Sequence, residues 1–517
     1  VIKKSTSRVK TLAALAAVTG LAAACGNGDT AEETNGNGAA DTGEPTELTL
    51  ATVVDISSYD PAELRFEGEW PQLWMPVYDT LLKWETDGSV SENLATSWEY
   101  NEDNTVLSIE LRDDVTFIDG EPFNAEAVQA NIEHFLDGTG VNRFRANAIE
   151  SVEVTGDYSV DIILNEPDPT LLNDLGSSVG AMASPAALDD PSIDLEPVGS
   201  GPYTLNSEET VRGDQYVFER KEDYWDPESW AYDRIVIRVM SDLQARMNAL
   251  SSGQVQGGRI DIPLIEQAEG AELTVHPNRV DWFGLAILDR EGEVVPALAE
   301  LEVRQAINIA FDRAGMLESI EQGQGVVSSQ IIGQSSPAYD ESLDEYYEYD
   351  LDQAQALMEE AGYADGFTVP MMDYDRYSPY QPYVEQAFAE LNIEIDWVPV
   401  PTDDGPEEQL TGDYPILIMG QQAPESAWDG LNFAYEDSFN VFEVYDDELT
   451  EYMEAARATD GDEQVEAFRA ANEWLVENAW FSVWYHRDLV YATADDVEVD
   501  IQPGHAGPQI RNYRPAE

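Results

Sequence analysis

The chain has 517 residues and carries 103 acidic against 26 basic side chains, a formal charge of −77 with four histidines neutral. Such an excess of carboxylate opposes binding to nucleic acid or to anionic membrane surfaces, whose phosphates it repels. A single cysteine rules out an intrachain disulfide, and the length exceeds what one hydrophobic core organises, so two or more domains are expected.

The first segment reads as an address. Lys3, Lys4, Arg8 and Lys10 precede an apolar, Ala/Leu-rich run at 11–24 that ends Leu21-Ala22-Ala23-Ala24-Cys25-Gly26. A basic region, a short apolar run and small residues before a cut are the layout of a secretory signal, too short to span a membrane. With the lone cysteine at the cut, 1–24 is expected to be a bacterial lipoprotein signal peptide and Cys25 its lipidation site. Plain secretion with an idle cysteine is the alternative. Several acyl chains, at about 0.8 kcal/mol per buried CH₂, would hold where one would not. Removing 1–24 leaves 493 residues and a formal charge of −81, with Lys83 and Lys221 as the remaining lysines. Repulsion on that scale is tolerable where salt shortens the Debye length from about 8 Å towards about 3 Å at 1 M. A saline or alkaline habitat is therefore expected, with the carboxylates as a solvated face. Residues 25–46, rich in Gly, Asn, Thr, Asp and Glu without apolar period, read as a flexible tether.

Beyond the tether, 48–54 alternates and β-branches like a strand and ends at Asp55 and the Tyr59-Asp60-Pro61 turn. Residues 72–84 mix aromatics and leucines at helical spacing. Strands are expected at 106–111 and 152–164. Between them, Asn124 N-caps a helix that carries Val128, Ile132, Phe135 and Leu136 on one face and stops at Gly138. Further strands are expected at 216–220, 234–240, 393–400, 414–419, 481–485 and 489–491. Helices are expected at 243–250, 304–320, 352–361, 448–458 and 464–478. Strands and helices mix without a strict repeat, so the fold class is α/β to α+β.

Enzyme motifs are sparse. Gly176-Ser177-Ser178-Val179-Gly180 matches the spacing of a nucleophile elbow, but Pro167 and Pro169 leave little room for the strand that must precede it. His276, His486 and His505 are the bases such a secreted serine hydrolase could use, and Ser178→Ala would test it. The histidines include no i, i+4 pair, and the acidic run at 340–352 lacks the spacing and central glycine of a calcium loop. No metal site or cofactor is expected. No phosphate-binding Gly-x-x-x-x-Gly-Lys is present, so any ATPase is another chain.

Six stretches carry a resemblance when taken in order: LSIELRDDVTFIDGEP at 107–122, VGSGPYTL at 198–205, ERKEDYW at 219–225, RMNALSSGQV at 246–255, VRQAINIAFDR at 303–313, and 349–367 with its AQALMEEAGYADGF core. In VGSGPYTL, two glycines one residue apart allow close backbone approach before Pro202 sets φ for a short strand. Together these stretches resemble the peptide/nickel family (family 5) of extracytoplasmic solute-binding proteins, from about Leu48 to Val497. The resemblance implies a two-lobed, periplasmic-binding-protein-like fold. Its first lobe would take 46–75, 197–282 and 486–517, its inserted subdomain 76–196 and its second lobe 283–485.

It also implies a monomeric carrier, anchored to the outer face of the bacterial cell membrane, that hands a small solute to an ABC permease with its ATPase subunits. An oligopeptide is the expected cargo, and an oligosaccharide or metal chelate the runner-up. Tyr59, Trp282, Tyr374, Trp428 and Tyr485 fall where the resemblance places the inter-lobe cleft, and aromatic rings cover a ligand's apolar faces at low entropy cost. Peptide-binding members typically carry a Gly-Trp-x-x-Asp-Tyr type segment whose Asp meets the peptide ammonium. The matching stretch begins Gly420-Gln421-Gln422 and continues to Glu425, Trp428 and Asp429. Glu425 or Asp429 would supply the charge from a shifted loop, or Gln421 and Gln422 would serve a neutral, hydroxyl- or amide-rich ligand.

Overall fold

The structure, a computed structural model, describes residues 46–86, 88–401, 404–422, 426–436 and 439–516. The expected signal peptide, Cys25, the expected tether before 46 and Glu425 lie outside the described residues. Two long antiparallel strands, Thr274–Ile287 and Phe481–Thr493, form the spine of the molecule. They pair from Thr274 opposite Thr493 to Ala286 opposite Phe481, with irregularities between Arg279 and Asp281 and between Phe283 and Gly284.

The spine lies within a nine-stranded sheet. Its order is Ile416–Gln422, Thr274–Ile287, Phe481–Thr493, Gly257–Ile260, Glu47–Thr52, Arg234–Val239, Gln215–Arg220, Tyr203–Leu205, with Gly325–Val327 added against Phe481–Thr493. Glu47–Thr52 runs parallel to both its neighbours, and the other pairs are antiparallel. Leu48 and Leu50 enter one hydrophobic cluster and Ala51 another, so this strand is buried on both faces, which is why it reads as a nearly continuous apolar run.

A second, antiparallel sheet of Ala95–Tyr100, Val106–Leu111, Ser159–Leu164 and Ile149–Gly156 packs against the helix Ala125–Asp137. The Asn124 side chain accepts from the Ala127 N–H at 2.9 Å, and Val128, Ile132 and Phe135 are buried among Leu107, Ile109, Val160 and Ile162. The mixed α/β class read from the sequence is the class observed. One hydrophobic cluster draws on residues 282–485 and another on 81–182. A third joins 48–78, 181–237 and 491–513.

Several elements differ from the sequence reading. The helix expected over 72–84 is confined to Pro71–Trp74, and a strand, Leu82–Trp84, follows. Pro76 has no N–H to continue the helix. Instead the chain lies across the glycine stretch: Gly201 N–H donates to Val77 O at 3.1 Å and Tyr203 N–H to Pro76 O at 2.9 Å. A Cβ on Gly199 would stand 1.9 Å from Val77 O, and one on Gly201 would stand 2.6 Å from the Val77 carbonyl carbon, so close approach is what these glycines permit.

The strand expected over 152–164 is a hairpin, Ile149–Gly156 with Ser159–Leu164. The helix expected over 304–320 is two, Leu301–Ile309 and Arg313–Glu321, the second capped by Asp312. The strands expected at 481–485 and 489–491 are one. Arg487 and Asp488 stay within it because the neighbouring strand presents Asp281 at 2.6 Å and Arg279 at 3.0 Å.

Candidate functional site

A cavity of about 590 Å³ lies between residues 144–174 on one side and 421–457 on the other, with Phe66, Trp84, Trp282 and His505 also in its lining. Pro167 and Pro169 stiffen the first wall, and Asp168 accepts from the Thr170 N–H at 2.9 Å. The short helix Leu171–Leu175 then presents Asp174, which is buried, to Arg145.

On the second wall, the strand Ile416–Gln422 delivers Gln421 and Gln422. The helix Ala427–Tyr435, capped by Ser426, sets Trp428, Asp429, Asn432 and Phe433 along one side at helical spacing. Trp84 meets His505 edge to face at 5.0 Å and packs on Phe66 at 5.2 Å, giving the cavity an aromatic flank.

Two guanidinium groups sit among its carboxylates. Arg145 lies 3.0 Å from Asp174 and 3.8 Å from Asp429. Arg457 lies 3.0 Å from Glu166 and 2.7 Å from Glu436, with its guanidinium 4.8 Å above the Trp428 ring. Burial pushes the Asp174 carboxyl up to about 7 against the pull of Arg145, and Asp429 and Asp168 add to the rise. Burial likewise raises Asp168, against its hydrogen bonds from Thr170. For Arg145 burial works against the charge, but Asp174 and Asp429 outweigh it and hold the group above its ordinary range. His505 is depressed to about 4 by burial and is neutral at pH 7.

Arg145 Nε and Asn432 Oδ1 are buried without a hydrogen-bond partner among the described residues. The site thus offers a donor, an acceptor, charge of both signs and aromatic faces. Among the described residues no group of three or more His, Cys, Asp or Glu is placed to hold a metal ion.

Of the residues singled out from the sequence, Trp282, Gln421, Gln422, Trp428 and Asp429 come together at this cavity. Trp282 is only 2% exposed, its ring edge against Phe481 at 5.5 Å, and the Gln422 amide donates to Gly504 O at 2.7 Å. Tyr59, Tyr374 and Tyr485 are not in its lining. Tyr59 is buried in the cluster around 48–78, where its carbonyl accepts from Tyr78 OH at 2.8 Å. Tyr374 packs against Tyr377 at 5.7 Å. Tyr485, fully buried, points its hydroxyl at Glu321 at 3.3 Å. Each of the three rings is packed among core side chains.

Ser178 is fully buried, its hydroxyl has no partner among the described residues, and a helix rather than a strand precedes it, so the elbow geometry is not formed. The sequence reading missed Arg145, Glu166, Asp168, Asp174 and Arg457. The signals available were the rigid Pro167-Asp168-Pro169 unit and the rarity of cations in so acidic a chain.

Residues 89–440 match the family model described as bacterial extracellular solute-binding proteins, family 5 Middle. The nickel-binding periplasmic protein of Escherichia coli (strain K12) is 28% identical over 337 residues, which is 62% of this chain and 62% of that relative's length, short of two thirds. Among solved structures, HbpA2 from Haemophilus parasuis superposes with a TM-score of 0.82 at 19% identity, over 91% of this chain and 100% of that one. DppA from Helicobacter pylori in complex with the peptide STSA gives a TM-score of 0.74 at 21% identity, over 92% and 99%. At such identities the superpositions speak for the fold, that of periplasmic binding proteins. The family model, covering more than half of the sequence, decides membership: the chain belongs to the bacterial extracellular solute-binding proteins of family 5.

Proposed function

We propose that this chain is the extracytoplasmic capture component of an ABC import system, that it carries a small solute to the permease without altering it, and that the solute is an oligopeptide. The observation that carries this reading is the 590 Å³ cavity with aromatic faces and charge of both signs, within the size range of small-molecule sites. A zwitterionic peptide suits it. The unpaired Arg145 Nε supports contact with a carbonyl or carboxylate, and the carboxylates of 166–174 and Asp429 support contact with an ammonium group. DppA, solved with a peptide, has the same fold. The amides of Gln421 and Asn432, set beside Trp84 and Trp428, favour the second reading, a neutral hydroxyl-rich solute.

Solute binds the closed form better and shifts the open–closed population, and the permease reads that form. Lipidation of Cys25 would keep the carrier at the membrane, and Cys25→Ser is expected to release it into the soluble fraction; unchanged membrane fractionation overturns the anchor.

Native mass spectrometry of gently purified protein tests the cargo. A co-purifying peptide is expected, and Asp429→Asn should weaken its binding about a hundredfold by titration calorimetry, since removing one partner of a desolvated charge pair costs several kcal/mol. No bound solute and no affinity for any member of a di- to pentapeptide panel would overturn the peptide reading.

A further inference from the structure

The two walls of the cavity belong to different hydrophobic cores, one drawing on 81–182 and the other on 282–485. Both walls are acidic, as is the chain as a whole, so bringing them together sets like charges face to face. Two arginines span the gap in a matching way. Arg457 holds Glu436 of its own wall at 2.7 Å and reaches Glu166 of the opposite wall at 3.0 Å. Arg145 holds Asp174 of its own wall at 3.0 Å and reaches Asp429 of the opposite wall at 3.8 Å. Neither arginine is stranded when the walls part, because each keeps a carboxylate at home. Breaking a buried pair is costly because it leaves an uncompensated charge, and this arrangement avoids that cost. Glu166 is 55% exposed and Asp429 34%, so each cross-wall pair is weak enough to be reversible.

We propose that Arg457 and Arg145 form a two-point clasp that offsets the repulsion between the walls and sets how much of the protein is closed before solute arrives. The clasp rests on the cleft being a capture site, but its operation needs no solute, so the two readings fail separately. Arg457 and Arg145 act here as positioning residues, each with a home partner and a cross-wall partner.

The test is the distance distribution between spin labels at Glu153→Cys and Glu451→Cys in solute-free protein carrying Cys25→Ser. Arg457→Gln and Glu166→Gln are each expected to lower the closed-to-open ratio by about 1.4- to 5-fold, the range of an exposed ion pair. The double variant should fall no further than either single one, whereas Arg457→Lys should restore part of the closure. Glu436→Gln, which removes only a home partner, should leave the protein closed. In Arg145→Gln/Arg457→Gln only repulsion remains at these points, so NaCl should raise its closed fraction. Glu166→Gln keeps the test open if an arginine variant fails to fold. Unchanged distances in every variant, or additive effects of Arg457→Gln and Glu166→Gln, would overturn the clasp. Failure to find any bound solute would overturn the capture reading and leave the clasp standing.

Discussion

Asp79 shows how a single buried charge is accommodated. It is 5% exposed and accepts from Ser200 Oγ at 2.9 Å, Tyr224 OH at 2.7 Å and Trp225 Nε1 at 3.2 Å. Burial raises its carboxyl, and the three hydrogen bonds, with Lys221 nearby, pull it back. Ser200→Ala would leave this carboxylate one donor short, and urea denaturation should register a loss of about 1–3 kcal/mol. His486 works in the opposite sense. It is 1% exposed, its Nε2 lies 2.9 Å from Gln330 O, and burial lowers it to about 4. The unfolded chain therefore takes up this proton first as pH falls. The contribution is fully present above about pH 6.5 and is lost between there and about pH 4, amounting to roughly 3 kcal/mol. His486→Gln should flatten the fall of unfolding free energy across that window; an unchanged slope would show that the imidazole is not held neutral.

At the scale of elements, legibility depended on whether local signals agreed. The helix Ala125–Asp137 has a cap, an apolar stripe and a terminating glycine, and all three pointed to the same element. Over 72–84 the aromatic spacing favours a helix while Pro76 opposes it, and the proline prevails because the carbonyls of Pro76 and Val77 accept from Tyr203 and Gly201 instead. That contact gives the glycine stretch its meaning. Gly199→Ala would drive a methyl to 1.9 Å from Val77 O, against backbone that cannot give way cheaply. Overpacking of this kind costs about 1–3 kcal/mol or more, and thermal unfolding should show it, with Gly213→Ala, whose methyl would stand 3.7 Å from Asp55 Oδ2 and which is strained only by its positive φ, as the milder comparison. From sequence the long strand Phe481–Thr493 reads as two, because Arg487 and Asp488 interrupt its apolar run. Their partners Asp281 and Arg279 lie some two hundred residues away in sequence and could not be foreseen from it.

For the whole molecule, charge is the governing quantity. After removal of the proposed signal, −81 formal charges on 493 residues should make the fold depend on screening. The melting temperature is expected to climb between low and molar NaCl, with KCl equivalent, and a flat response would mean the carboxylates are already well separated or paired. The sequence by itself determined the composition class, the mixed α/β architecture and the family resemblance, since periodicity, turn chemistry and ordered motifs are local and survive in one dimension. Tertiary structure alone decided which of the buried aromatics border the cavity: Trp282 and Trp428 line it, while Tyr59, Tyr374 and Tyr485, buried to a similar degree, do not. It alone brought Arg145 to Asp429 and Arg457 to Glu166, pairs separated by nearly three hundred residues. The physical reason is that burial and ion pairing depend on distances set by the packing of separate cores, and no spacing along the chain encodes them.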